Sequence, residues 1–260
     1  MGKASTLKHR RLFQTSRRDA WWLTPALTFI VLTTFIVYAT WAALQGKHYY
    51  YGNYLSPFYS PELFGDSGHA WFGGKPSWWP AFLPFSAALI ILPFPALFRL
   101  TCYYYRGAYY KAFWLDPPAC GVSESKKGYT SENGWPLKLQ NAHRFLLYFA
   151  LLFLVFLWHD VWLGFTFDGK FGVGVGSFVL LFNTLMLTFY TFSCHSLRHM
   201  VGGYRKCLSK HKMSSACYGC VTKLNHNHMV YAWISLFGVM FADLYVRLVS
   251  MGIWHDWRFL

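Results

Sequence analysis

Apolar residues in this chain neither alternate as in strands nor recur as one face of an amphipathic helix; they come in long runs. Five runs match the length needed to cross a bilayer, whose hydrocarbon core takes roughly 20 helical residues at about 1.5 Å each. The first, Ala20 to Gly46, has no Asp, Glu, Lys or Arg. The second is charge-free from Pro76 to Phe98 and is predicted to continue as helix to about Tyr105. It carries Pro76, Pro80, Pro84, Pro93 and Pro95, so a bent or late-starting helix is expected, its freed carbonyls satisfied by neighbours. The third is short, Phe145 to His159, between Arg144 and Asp160. The fourth, Phe171 to Leu197, opens on the run GVGVG, which suits close helix packing better than phosphate binding, since no strand or P-loop lysine accompanies it. The fifth begins near His228 and ends near Gly252. The predicted class is all-α: an integral membrane bundle of five transmembrane helices, at about 20–46, 76–105, 142–163, 171–200 and 228–252, within a membrane domain of residues 20–260 preceded by a basic arm, 1–19.

Composition agrees with that class and adds an orientation. Hydrophobic residues make up 55% of the 260, charged residues only 13%, too few to clothe a soluble globule. The 24 Lys and Arg against 10 Asp and Glu leave a net charge of +14. A nucleic-acid partner is not expected, because that reading needs a solvated basic face. Instead the basic residues alternate between loops: six in the arm, seven from Arg99 to Arg144, and six from Arg198 to His228, so 19 of the 24 lie on one side. By the positive-inside rule that side is cytoplasmic, which predicts a multi-pass plasma-membrane protein with its N-terminus inside and its C-terminus outside. The arm does not read as a cleaved signal peptide, since the run after it is too long and lacks a small-residue cleavage site. Trp and Tyr where the runs end, as at Trp21 and Trp78, read as an interfacial aromatic belt.

All six cysteines, Cys102, Cys120, Cys194, Cys207, Cys217 and Cys220, fall on the predicted cytoplasmic side, with seven of the eleven histidines. That compartment is reducing, so metal ligation is the functional alternative to inert thiols. Cys102, His143, Cys194, His195, His199, His226 and His228 lie at the ends of four predicted helices at one membrane level, which makes a redox site a candidate. Three occupants compete. A b-type haem would take paired imidazoles from His143, His199 and His228; a Rieske-type [2Fe–2S] centre would take two thiolates and two imidazoles. Zinc would use Cys207-x3-His211-x5-Cys217-x2-Cys220, whose spacing matches no standard finger. Asp243 and Arg247, four apart in the fifth run, read as a helical ion pair that makes burial cheaper, with a proton path as the sharper alternative. His159 and Asp160 read as an interfacial hydrogen-bonding pair or a proton acceptor.

The strings LTCYYYRGAYYKAFWLDPPAC (Leu100 to Cys120), QNAHR (Gln140 to Arg144), SCHSLRHMVGG (Ser193 to Gly203) and LNHNHM (Leu224 to Met229) resemble the cytochrome b-like membrane anchor of succinate dehydrogenase, respiratory complex II. More narrowly, they resemble the actinobacterial single-anchor type with five helices. The resemblance implies a subunit of a succinate:quinone oxidoreductase, not catalytic alone, with flavoprotein and iron–sulfur subunits docked on its cytoplasmic face and electrons passed to a membrane quinone. It also implies a membrane-embedded Rieske-type [2Fe–2S] centre, with haem b as the alternative. Carried onto the matching strings, the ligand pool is Cys102, Cys120, Cys194, His143, His199 and His228, with His195 in reserve. Quinone-contact candidates near the interface are Arg18, Trp21, Tyr104, Arg106 and Arg144, with Arg17 and Asp19 beside them. From another class, a five-helix transporter-like protein with a structural metal site is the alternative; the scarcity of intramembrane charge speaks against it.

Overall fold

The computed structural model describes residues 11–123, 137–167, 169–203 and 205–260. It divides into two compact units, one of Met1–Thr34 with Leu100–Asn141 and one of Phe35–Arg99 with Ala142–Leu260.

Helix α1 (Leu23–Gln45) is the first apolar run, with Pro25 in its first turn where a missing N–H costs nothing. It stops at Gly46, whose φ is +59° and whose Cβ, were there one, would sit 2.6 Å from the Phe85 carbonyl oxygen. A short hairpin follows, β1 (Tyr50–Tyr51) against β2 (Tyr54–Leu55), with Tyr50 opposite Leu55 and Tyr51 opposite Tyr54. Residues 54–62 are then buried without interruption.

The second run behaves as its prolines dictate. Residues 76–87 form no regular helix; α2 (Ala88–Ile91) is one turn and α3 (Pro93–Leu100) opens on a proline, the position that tolerates it. The helix does not run on to Tyr105. It breaks at Thr101–Cys102, where Cys102 is extended (φ −62°, ψ 130°), and restarts as α4 (Tyr103–Tyr109) with a π-helical turn at Tyr110–Trp114. In the first unit, the described part of the basic arm is tied to residues 120–123. Phe13 N–H donates to the Ser123 carbonyl, Ser123 N–H to the Gln14 carbonyl, and the Thr15 hydroxyl to the Gly121 carbonyl at 2.7 Å.

In the second unit, α5 (His143–Gly164) and α9 (His228–Ser250) both pack on α6 (Val175–Phe192). The hairpin β3 (Thr166–Phe167) and β4 (Lys170–Phe171) joins α5 to α6. After α6 come the single turn α7 (His195–Arg198), a π-helical turn at His199–Gly203, and α8 (Lys212–His226). Glycines 172, 174 and 176 do pack closely, but not against a helix as the run GVGVG suggested: a Cβ on Gly176 would lie 2.5 Å from the Tyr54 ring of β2, one on Gly174 would lie 2.5 Å from the Tyr54 hydroxyl, and one on Gly172 would meet Phe167 of β3. Among the described residues four helices are long and apolar enough to cross a membrane, namely α1, Lys138–Gly164, α6 and α9, or up to five if the broken pair Ala88–Leu100 and Tyr103–Trp114 is one span. Exposed Leu27, Ile30 and Val37 on α1 and Leu152, Val155 and Trp162 on α5 suit lipid contact.

Candidate functional site

Helix α6 ends on a corner. Ser193 closes α6 with its hydroxyl donating back to the Tyr190 carbonyl (3.0 Å), and Cys194 is extended (φ −63°, ψ 137°) before α7 begins. This turn buries the Cys194 side chain. His143, the first residue of α5 and also buried, places its Nε2 3.0 Å from the Cys194 sulfur. The imidazole is held flat against Phe98 of α3, with ring centroids 4.5 Å apart and planes 10° apart.

His228, the first residue of α9, approaches the other side of the corner. Its Nδ1 is 2.7 Å from the Ser193 hydroxyl oxygen. The Ser193 hydroxyl thus lies between the Tyr190 carbonyl and His228 Nδ1 and holds that nitrogen of the ring in place. The ring stacks on Tyr190 at 5.1 Å and 20°, and the Arg99 guanidinium covers the same Tyr190 ring at 4.6 Å while donating to the Ala232 carbonyl. Asn225 donates its side-chain amide to the Ser193 carbonyl at 2.7 Å. Two held imidazoles thus flank Ser193 and the buried Cys194 thiol.

The rest of the sequence-predicted pool is placed differently. His199 and His195 are exposed, the former folded over Gly203. In the first unit Cys102 is buried; its backbone closely matches that of Cys194, and both precede a short helix that ends in a π-helical turn. Cys120 is exposed and its carbonyl accepts from Arg17 at 2.8 Å. Cys207, Cys217 and Cys220 are exposed. Among the described residues no group of three or more His, Cys, Asp or Glu side chains is close enough to hold a metal ion, so neither the Cys207-to-Cys220 set nor Cys194 with His143 and His228 is gathered into a complete metal site.

Of the quinone-contact candidates, Arg18 is exposed and Trp21 lines an apolar groove of about 630 Å³ in the first unit, with Trp22, Pro25, Phe29, Ala112 and Leu115. Arg106 donates to Gln140 at 2.6 Å beside the Tyr103 ring, and half-buried Tyr104 packs on Tyr105 at 5.6 Å. In the second unit Arg144 is exposed over the Phe145 ring at 4.9 Å.

Two cavities inside the second unit were not foreseen. One, of about 360 Å³, is apolar and runs among α1, α3, α5 and α6, lined by Phe98, Arg99 and Tyr190 as well as Ser60. The other, of about 240 Å³, is polar and is lined by Glu62, His69, His159 and Asp160. Sequence reading missed Ser60, Glu62 and His69 because the segment carrying them has neither helical nor strand periodicity; only an acidic residue in a charge-poor region marked it. The Asp243–Arg247 pair is an ion pair, with Arg247 Nε 3.4 Å from Asp243 Oδ2 and both side chains buried.

Residues 23–252 match the family described as actinobacterial succinate dehydrogenase subunit SdhC. The chain is also similar to one in a solved structure of the Mycobacterium smegmatis Sdh1 complex in the apo form, with 41% identity, 98% of each chain covered and a TM-score of 0.88. No curated protein matches it. Apolar spans, interfacial histidines at helix starts and a match over nearly the whole chain agree, and the chain belongs to the actinobacterial succinate dehydrogenase subunit SdhC family, as a multi-pass membrane-anchor subunit of that enzyme.

Proposed function

We propose that this anchor receives electrons from an iron–sulfur subunit docked, together with the flavoprotein subunit, on its basic cytoplasmic face, and delivers them to a membrane quinone through a redox centre inside the chain. The single observation that carries the reading is the buried contact of the Cys194 thiol with His143 Nε2 at 3.0 Å. Thiol and imidazole side by side, away from water, suit a Rieske-type [2Fe–2S] centre, whereas haem b asks for two imidazoles and no thiol. Such a centre takes two thiolates and two imidazoles. In the second unit Cys194, His143 and His228 are the candidate donors; the second thiolate would come from the cysteines of the sequence-predicted pool.

The chain's own residues make the donors ready. Phe98 and Tyr190 set the planes of the two imidazoles, and Ser193 holds His228 Nδ1, as partners behind metal-ligating histidines do. When bound, the cluster would supply one-electron transfer at a potential above that of an all-thiolate cluster. Burial of its donors excludes water. Family membership speaks against the transporter-like alternative.

The test is the electron paramagnetic resonance and optical spectrum of the purified complex, with iron and acid-labile sulfide content, for wild type and Cys194→Ala. A Rieske signal that the substitution abolishes, together with lost quinone reduction and retained succinate oxidation by a soluble acceptor, is the expected result. A b-haem spectrum would move the assignment to the haem version. No redox signal from the anchor, or quinone reduction that survives Cys194→Ala, would refute the ligand.

A further inference from the structure

We propose that the polar cavity around Asp160 is a proton-exchange chamber for a quinone bound in the neighbouring apolar cavity, with the Ser60 hydroxyl as the link between them. This rests on the quinone-reducing function proposed above. Three observations in the second unit carry it. First, Ser60 and Asp160, 100 positions apart in the chain, are both buried, and the Ser60 hydroxyl donates to the Asp160 carboxylate. Ser60 also lines the apolar cavity, while Asp160 lines the polar one. The hydroxyl therefore stands in the wall between a compartment that suits a quinone and one that suits water.

Second, the apolar cavity meets the candidate redox site at another part of its wall. Phe98 and Tyr190 line it, and these are the rings stacked on His143 and His228. Arg99 is the one charged side chain in its described lining. A quinone in that space has a route for electrons on one flank and a route for protons on another.

Third, the polar cavity is equipped to move protons. Its volume admits several waters. Asp160 faces the Ser60 hydroxyl, His159 with Nδ1 3.7 Å from Oδ1, and His69. Glu62, fully buried, lines the same space; Tyr49 donates to it at 2.7 Å and Ser67 donates to its other oxygen. His69 is held by the Gly52 carbonyl at 3.0 Å, and the His159 side chain is 54% exposed, which opens the set to the surface at the far end of α5 from His143. No Lys or Arg lines this cavity among the described residues.

Reduction of a quinone to its quinol takes two electrons, which succinate oxidation supplies, and two protons. For each proton, the Asp160 carboxylic acid O–H passes its proton to Ser60 Oγ while the Ser60 O–H passes its own to the quinone oxygen. One O–H bond forms on the quinone and one breaks on Asp160. The carboxylate left behind is protonated again from cavity water, on the side where His159 is exposed.

The complex reconstituted in liposomes, with succinate and a short-chain quinone, tests this. Wild-type quinone reduction should respond to pH on the His159 side of the membrane. Asp160→Asn and Ser60→Ala should lower the rate by about 100-fold and flatten that pH response, the scale of a lost general acid. Ser60→Thr, which keeps the hydroxyl, should restore it. Succinate oxidation by a soluble acceptor should be unchanged throughout and reports assembly. If Asp160→Asn does not assemble, the Ser60→Ala and Ser60→Thr pair decides. A rate that follows only the pH on the His143 side, or Ser60→Ala equal to wild type, overturns the chamber while leaving quinone reduction standing. A wild-type complex that reduces no quinone overturns both.

Discussion

Neutralising the buried ion pair of α9 in two steps tests how the far end of the second unit is held. Asp243 and Arg247 are 0% and 2% exposed, and their mutual contacts are long, 3.4 Å each. Their shorter bonds go elsewhere: Ser56 and Tyr38 donate to Asp243 at 2.5 and 2.6 Å, and Arg247 donates to the Lys47 carbonyl at 2.9 Å with its guanidinium over Trp41. Asp243→Leu leaves a buried guanidinium without its counter-charge, worth about 3–5 kcal/mol. It also orphans two hydroxyls, at about 1–3 kcal/mol each. Adding Arg247→Met removes the stranded charge, so the double variant should recover about 3–5 kcal/mol relative to Asp243→Leu. At about 2–4 °C per kcal/mol for a chain of this size, that is a rise of roughly 10 °C in the midpoint of thermal unfolding. The assay is the fraction of the chain that stays soluble when the detergent-purified complex is heated in steps. A double variant no more stable than Asp243→Leu would refute the ion-pair account and leave the energy in the hydroxyl network. The tight hydrogen bonding of both partners also speaks for an anchor over a proton path at this pair.

Two further outcomes follow from single contacts. Gly176→Ala pushes a methyl into the Tyr54 ring, which Asp256 holds at 2.9 Å, so it should cost about 1–3 kcal/mol in the same heating assay, and an unshifted midpoint would mean that the ring moves freely. At exposed Cys207 the Ser209 hydroxyl, 3.2 Å away, and then the Lys210 backbone hold the thiol below its ordinary range. The thiolate therefore forms at lower pH, and Ser209→Ala should move the pH curve for iodoacetamide labelling of Cys207, read by mass spectrometry, to higher pH. An unmoved curve would rule out Ser209 as the cause.

Hydropathy alone located the long runs, because the cost of burying charge in lipid is a local property of each segment. It located α1, α5 and α9 closely but ran past the end of α6, which stops at Phe192 and not near residue 200, and proline content foretold that the second run would start late. It did not show the break at Thr101–Cys102. The residues Thr, Cys and Tyr of LTCYYY are weak helix formers, but weak propensity alone does not say at which peptide the helix breaks; the packing of the surrounding chain decides that.

Residue chemistry read along the chain also placed His143, Cys194 and His228 at helix ends, since cysteine and histidine concentrate where the basic loops do. Which of them touch was settled by the tertiary structure: Cys194 meets His143 only because the chain turns after Ser193 and α5 starts beside that turn. The buried segment 54–62, the two cavities and the Ser60–Asp160 bond lay beyond sequence patterns for the same reason. A buried polar group must find a partner, but which partner it finds depends on three-dimensional packing that no periodicity encodes. The sequence by itself determined the membrane class, the charge asymmetry and the donor types; the fold decided which donors meet and where a ligand has room.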